Sequence, residues 1–262
     1  MSEAERGLGY KPDPEDSRDK LLSASPAFEV SSSPPAWSLR AYWDARHQPE
    51  LDQGILQGCV GFSTSIGLYT KQRIEVDSAA TEPSAGFIWY NSRKTHGDEE
   101  LNEGTYIREA FKTLKTLGAA PEADWPNDEL PSQFGVRPAS IAYTHAYDFR
   151  FEVDYRRLDA EGEELRSQLK ESIYQGCPVV FGITVTKAFT RLKAHGPVPD
   201  PAFDEPVAGG HAMCILAYDE YGVRGPNSWG SWGNDGWFYI SWEYFLNQSR
   251  DRWAIVHAPR IE

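Results

Sequence analysis

The 262-residue sequence predicts an α+β fold of two lobes, with a mainly helical first half and a strand-rich second half. Three observations point there. Helical spacing of apolar residues is concentrated between Cys59 and Tyr174, apolar runs of strand length begin after Gly176, and no segment repeats. A composition of 40% hydrophobic and 25% charged residues is that of a globular protein with a sizeable core.

Taken in order, residues 1–36 (KPDPEDSRDK, then SSSPPAW) are rich in proline, serine and charge and show no periodicity, so they form an extended arm or linker. Asp52-Gln53-Gly54 marks a turn. Beyond it, Cys59 opens a helix that turns Val60, Phe62, Ile66 and Leu68 to the core. A second helix is marked by Tyr106, Ile107, Ala110, Phe111, Leu114 and Leu117, with Gly118 as its C-cap. The run from Ala119 to Gly135 contains Pro121, Pro126 and Pro131 and is expected to be loop. Leu165, Leu169 and Ile173 place a third helix over Glu161 to Tyr174, closed by Gly176. Strands are expected at Val179–Val185, Ala212–Tyr218, Trp237–Ser241 and Trp253–His257. The resulting division is an arm over 1–36, a helical lobe over 37–140 and a β lobe over 141–262.

Composition excludes several functions. A formal charge of −13 argues against an extended nucleic-acid surface, which needs clustered cations. The longest apolar runs, such as Cys177 to Ile183, cannot span a membrane, and residues 1–30 contain no secretory apolar stretch. A cytoplasmic location is therefore expected. The three cysteines form no CxxC pair and so supply neither a disulfide framework nor a zinc site. No metal or other cofactor is expected: HExxH and Walker motifs are absent, and GLGYKP from Gly7 lacks the last glycine of a dinucleotide fingerprint. Cys177 and Cys214 lie in apolar runs and are expected to be buried.

Cys59 differs. A cysteine nucleophile needs a helix N-terminus or positive charge to favour the thiolate, and an imidazole to take its proton. Gly58 before Cys59 permits close backbone approach, and the start of a helix supplies the dipole. Far downstream, His211 follows Gly209 and Gly210 and leads into an apolar strand, the glycines giving the ring unobstructed access. Asn227, in Pro-Asn-Ser-Trp-Gly, carries an amide oxygen that can fix an imidazole tautomer. Each feature alone is commonplace in a core or a turn; their order is not.

Gln53, Cys59, Gly210-His211-Ala212 and Asn227-Ser228-Trp229-Gly230 together resemble the papain family of cysteine peptidases over roughly residues 35–260. The resemblance implies a helical lobe and a β-barrel-like lobe meeting at a cleft. It implies Cys59 as nucleophile, His211 as base and acid, Asn227 as its orienting group, and Gln53 with the Cys59 N–H as the oxyanion hole. Gly104, Thr105 and Gly210 are then expected to bind the substrate backbone, and Trp229 to cover the Asn227–His211 contact. The expected partner is a peptide or protein, cleaved through a thioester. Departures are Leu56, where secreted members carry a disulfide cysteine, and Val60, where a tryptophan is common; the latter change is expected to loosen packing. The arm is similar to that of a bacterial, disulfide-poor branch, which suggests that it folds back across the cleft. Alternatives are transfer or deamidation at the same Cys–His site, or an idle homologue that only binds.

Overall fold

A computed structural model of the chain describes residues 6–25, 33–44, 51–76, 80–148, 153–192 and 195–258. Helix α2 (Cys59–Val76) is its axis, and every residue from Cys59 to Gln72 is buried. A helix enclosed on all sides needs no polar stripe, which is why its periodicity is faint in the sequence. On one flank it packs against α1 (Arg40–Asp44), α3 (Ala85–Lys94) and α4 (Ile107–Leu117). On the other it meets β3 (Val179–Thr186), β4 (Val207–Ile215) and β8 (Ser249–His257). A Cβ on Gly61 would lie 2.4 Å from the Ala85 carbonyl oxygen, so the α2–α3 crossing depends on that glycine. Val60 is fully buried, so the missing tryptophan has not exposed this face.

The remaining strands are β1 (Trp37–Ser38), β2 (Asp154–Arg157), β5 (Ala217–Tyr218), β6 (Gly222–Pro226) and β7 (Trp237–Ser241). They form two open antiparallel sheets of four strands each, ordered β1-β5-β6-β7 and β2-β8-β3-β4. The single strand expected over Ala212–Tyr218 is divided. At Leu216 the chain leaves β4 and enters the other sheet as β5, with Leu216 still bonded to Leu39 and Arg224. Phe181 on β3 packs edge-on against Phe238 of β7 and Phe245 of α9 (Trp242–Gln248), so the aromatic core lies between the sheets.

The second and third expected helices are present, as α4 and α7 (Gly162–Tyr174), with Gly118 and Gly176 at positive φ after them. Helix α3 carries no sequence signal because Ala85 to Arg93 are all buried and GFIWY offers no polar face. It begins at Ser84, whose Oγ accepts the Phe87 N–H. The expected loop after Ala119 holds a 3₁₀ turn (Glu122–Asp124) and the short helix α5 (Leu130–Gln133), with Pro131 in the first turn, where no N–H is needed. Short helices α6 (Ser140–Asp148) and α8 (Lys187–Thr190) are likewise unsignalled. Cys177 and Cys214 are buried, as expected.

Residues 6–25 of the arm lie along the body; residues 1–5 and 26–32 fall outside the described residues. Leu22 and Arg157 pair through backbone hydrogen bonds, Leu22 N–H to Arg157 O at 2.8 Å and Arg157 N–H to Lys20 O at 2.8 Å. Asp19 accepts Arg108 at 2.6 Å and Arg157 at 3.2 Å, and Arg157 also reaches Asp251 at 2.9 Å. Among the described residues there is no helix long and apolar enough to cross a membrane, and no cluster of metal-ligating side chains.

Candidate active site

Cys59 is the first residue of α2 and fully buried. Its Sγ accepts the Gly9 N–H at 3.3 Å and faces the Ala212 N–H. Burial pushes the thiol up to about 11, against the lowering effect of the backbone donors of Ala212, Gly9 and Val60. His211 stands on β4 beside Ala212, in register with Ile183 of β3. Its Nε2–H donates to Asn227 Oδ1 at 2.8 Å. This bond leaves the lone pair on Nδ1, which is buried and has no hydrogen-bond partner among the described residues. Burial holds the imidazole down at about 4, opposed by the Asn227 bond. Asn227 Oδ1 also accepts the Ser228 N–H at 2.9 Å, which fixes the amide. The Trp229 ring stacks on the imidazole at 4.3 Å and is 1% exposed, closing this bond off from water.

Gln53 is placed from two sides. Its backbone N–H bonds to Ser228 O at 2.8 Å, and its Oε1 accepts the Ser228 hydroxyl at 2.5 Å. With the oxygen so held, Nε2 turns away and donates to Leu56 O at 2.6 Å and Gly7 O at 3.1 Å. Asp52 Oδ1 accepts the Gly54 N–H at 2.8 Å, making the turn expected there.

The remaining predicted residues meet the arm. Thr105 N–H donates to Gly9 O at 2.9 Å, Lys11 N–H to Thr105 O at 3.0 Å, and Tyr10 N–H to Gly210 O at 3.2 Å. The Tyr10–Thr105 bridge is parallel. Gly104 lies under the arm, where a Cβ would be 2.1 Å from Gly9 O. Gly7 and Gly9 are equally constrained: their Cβ atoms would lie 1.8 Å from Leu56 O and 1.9 Å from Gln57 O. Trp229 sits with His211 away from this strip, and its carbonyl accepts Arg6 Nη1 at 3.0 Å. Six of the eight residues singled out in the sequence thus meet arm residues 6–11, and the other two, His211 and Asn227, adjoin Trp229.

Several contributors were not singled out. Ser228 orients Gln53. Asn102 joins two loops, its Oδ1 accepting the Gln57 N–H at 2.9 Å and its carbonyl accepting Gln57 Nε2 at 2.8 Å. Leu56, at the place of the family's disulfide, is buried, and this amide pair ties the same loop to the strip before Thr105. Tyr10, Gly182 and Asp251 form a pocket beside the strip. Only the arm offered a signal: two alternating glycines followed by an aromatic residue in a segment otherwise charged and proline-rich.

A thiol at a helix N-terminus, an imidazole with one nitrogen fixed and a side-chain amide beside them are the groups required to transfer an acyl group to sulfur. No protein-family model matches the chain. A curated relative, the uncharacterized peptidase C1-like protein L477 of Acanthamoeba polyphaga mimivirus, is 28% identical over 274 residues, covering 95% of this chain and 86% of the relative. Xylellain, a cysteine protease from Xylella fastidiosa, superposes with a TM-score of 0.84 at 26% identity over 100% of this chain and 99% of its own. ProCathepsin B from Trypanosoma congolense shares the fold, with a TM-score of 0.68 at 14% identity, covering 98% of this chain and 87% of that one.

Proposed function

We propose that this chain, which is similar to papain-like cysteine peptidases, hydrolyses peptide bonds with Cys59 as nucleophile, and that its own arm restrains it. Cys59 passes its proton to His211 Nδ1, and the thiolate attacks the peptide carbonyl carbon. The oxyanion is held by Gln53 Nε2–H and the Cys59 N–H. His211 then protonates the leaving amine, and the thioester remains on Cys59. Water, deprotonated by His211, releases the acid and restores the thiol. The observation that carries this reading is the Asn227–His211 bond, which leaves Nδ1 as the basic nitrogen.

The arm's restraint rests on its course. Gly7 O takes the Gln53 amide and the Gly9 N–H points at Cys59 Sγ, so sulfur meets a donor rather than an electrophilic carbon. Burial by the arm also favours the neutral thiol and imidazole over the reactive ion pair.

Intact-mass spectrometry with an epoxysuccinyl thiol reagent tests both parts on the full-length chain. Gly9→Val, whose side chain cannot fit against Gln57 O, should lift the arm from the cleft. One adduct on Cys59 is expected, formed at least tenfold faster in Gly9→Val and absent in His211→Ala. A folded Gly9→Val chain that takes no adduct would dismiss the Cys59–His211 pair. Equal rates with and without the substitution would dismiss the restraint.

A further inference from the structure

The Tyr10 ring lies against two glycines. A Cβ on Gly182 would lie 2.0 Å from Tyr10 Cζ, and one on Gly210 would lie 3.0 Å from Cδ1. The floor is Asp251 of β8, 4% exposed and held at φ 45°. Its Oδ2 accepts the Tyr10 hydroxyl at 2.5 Å and the Asp13 N–H at 2.6 Å, and its Oδ1 accepts Arg157 Nη2 at 2.9 Å. Both donors to Oδ2 belong to the arm. When the arm leaves, Oδ2 loses them together, while Arg157 stays.

The charge on the vacated floor decides what enters. Asp13 and Asp19 depart with the arm, and Arg108, which bonds to both, stays with Arg157. The Asp251 carboxylate keeps its pairing with the Arg157 guanidinium, so an incoming cation meets a floor whose charge is already balanced. A purely apolar side chain leaves Oδ2 buried without a donor, which is costly. A flat side chain ending in a neutral hydroxyl satisfies both conditions. We propose that this pocket selects tyrosine in peptide substrates, with Asp251 as the specificity-determining residue and Gly182 and Gly210 providing its room. The assignment rests on the peptidase reading and names the substrate class for the same cleft.

The test uses the full-length Gly9→Val chain and peptides varied one position at a time, on the amino side of the scissile bond, among Tyr, Phe, Leu, Arg and Ala. At one position tyrosine should exceed phenylalanine by about tenfold in kcat/KM, with leucine and arginine lower still. Asp251→Asn keeps a residue that tolerates positive φ and should cut the Tyr/Phe ratio to about twofold. Gly182→Ala should depress tyrosine and phenylalanine together and spare alanine. Calorimetric binding of the same peptides to the Cys59→Ala, Gly9→Val chain reads the pocket without turnover. Tyrosine-selective binding without cleavage would sink the hydrolytic mechanism and keep the pocket assignment. Tyrosine no better than phenylalanine in binding, arginine ranked first, or a ratio indifferent to Asp251→Asn would overturn it.

Discussion

Cys59 sits under the arm with burial pushing its thiol up to about 11, so at pH 7 the docked chain holds it as the neutral thiol. The sign follows directly: below 11 each pH unit exposes about ten times more thiolate. Iodoacetamide alkylation of the full-length chain should therefore climb about tenfold per unit between pH 6 and 9. Gly9→Val, by admitting water, should flatten the profile at its neutral end. A level profile in the native chain would show that burial does not govern this thiol. Ser228 offers a second residue-scale test. Its hydroxyl holds Gln53 Oε1, so Ser228→Ala frees the amide to rotate. We expect kcat/KM to fall about tenfold with KM little changed, because the lost contact matters most when charge develops on the carbonyl oxygen.

At the scale of elements, the arm and the loops beneath it carry their own predictions. Asp13 lies against Asp251 and Trp253 of β8 and Arg108 of α4, and burial followed by the Asp251 charge raises its carboxyl to about 6 from 3.8. A pKa raised by docking means the docked state prefers the protonated form. The contribution of Asp13 to docking is thus complete below pH 3.8, lost as pH rises to about 6, and constant beyond. Exchange protection of the Gly9 and Tyr10 amides, corrected for intrinsic rate, should decline across that window; a rise would reverse the assignment. Asn102 binds the loop before Cys59 to the strip holding Gly104 and Thr105. Asn102→Ala should raise KM several-fold more than it lowers kcat, because it loosens backbone capture and leaves Cys59, His211 and Asn227 in place. A pure kcat defect would place the role of Asn102 elsewhere.

Across the whole molecule, α2 contributes to both hydrophobic clusters, Val60 and Ile66 to one and Phe62 to the other, so the lobes are joined through it and should unfold together. Tryptophan fluorescence and far-ultraviolet circular dichroism should give coincident denaturation curves, and Phe181→Ala should cost about 3–5 kcal/mol in both. Much of this architecture was legible in the sequence where periodicity meets solvent, as in α4, whose Ile107, Ala110, Phe111 and Leu114 face inward. It failed for α3, where burial on every side erased the pattern. It also failed at Leu216, where the chain changes sheets without a glycine or proline to mark it. The residues proposed to act with Cys59 and His211 stood out in the sequence because the proposed roles demand fixed types in a fixed order. Asn102 and Asp251 were not, because an amide clamp and a pocket floor can be built from many residues at many positions. The arm has one more consequence, which follows from its covalent attachment. A tethered segment meets its cleft at an effective concentration of about millimolar whatever the amount of protein, so dilution cannot release it. One cut between Ser25 and Trp37 would turn that contact into an ordinary bimolecular complex. The same chain would then gain activity on dilution, a dependence that the uncut protein should never show.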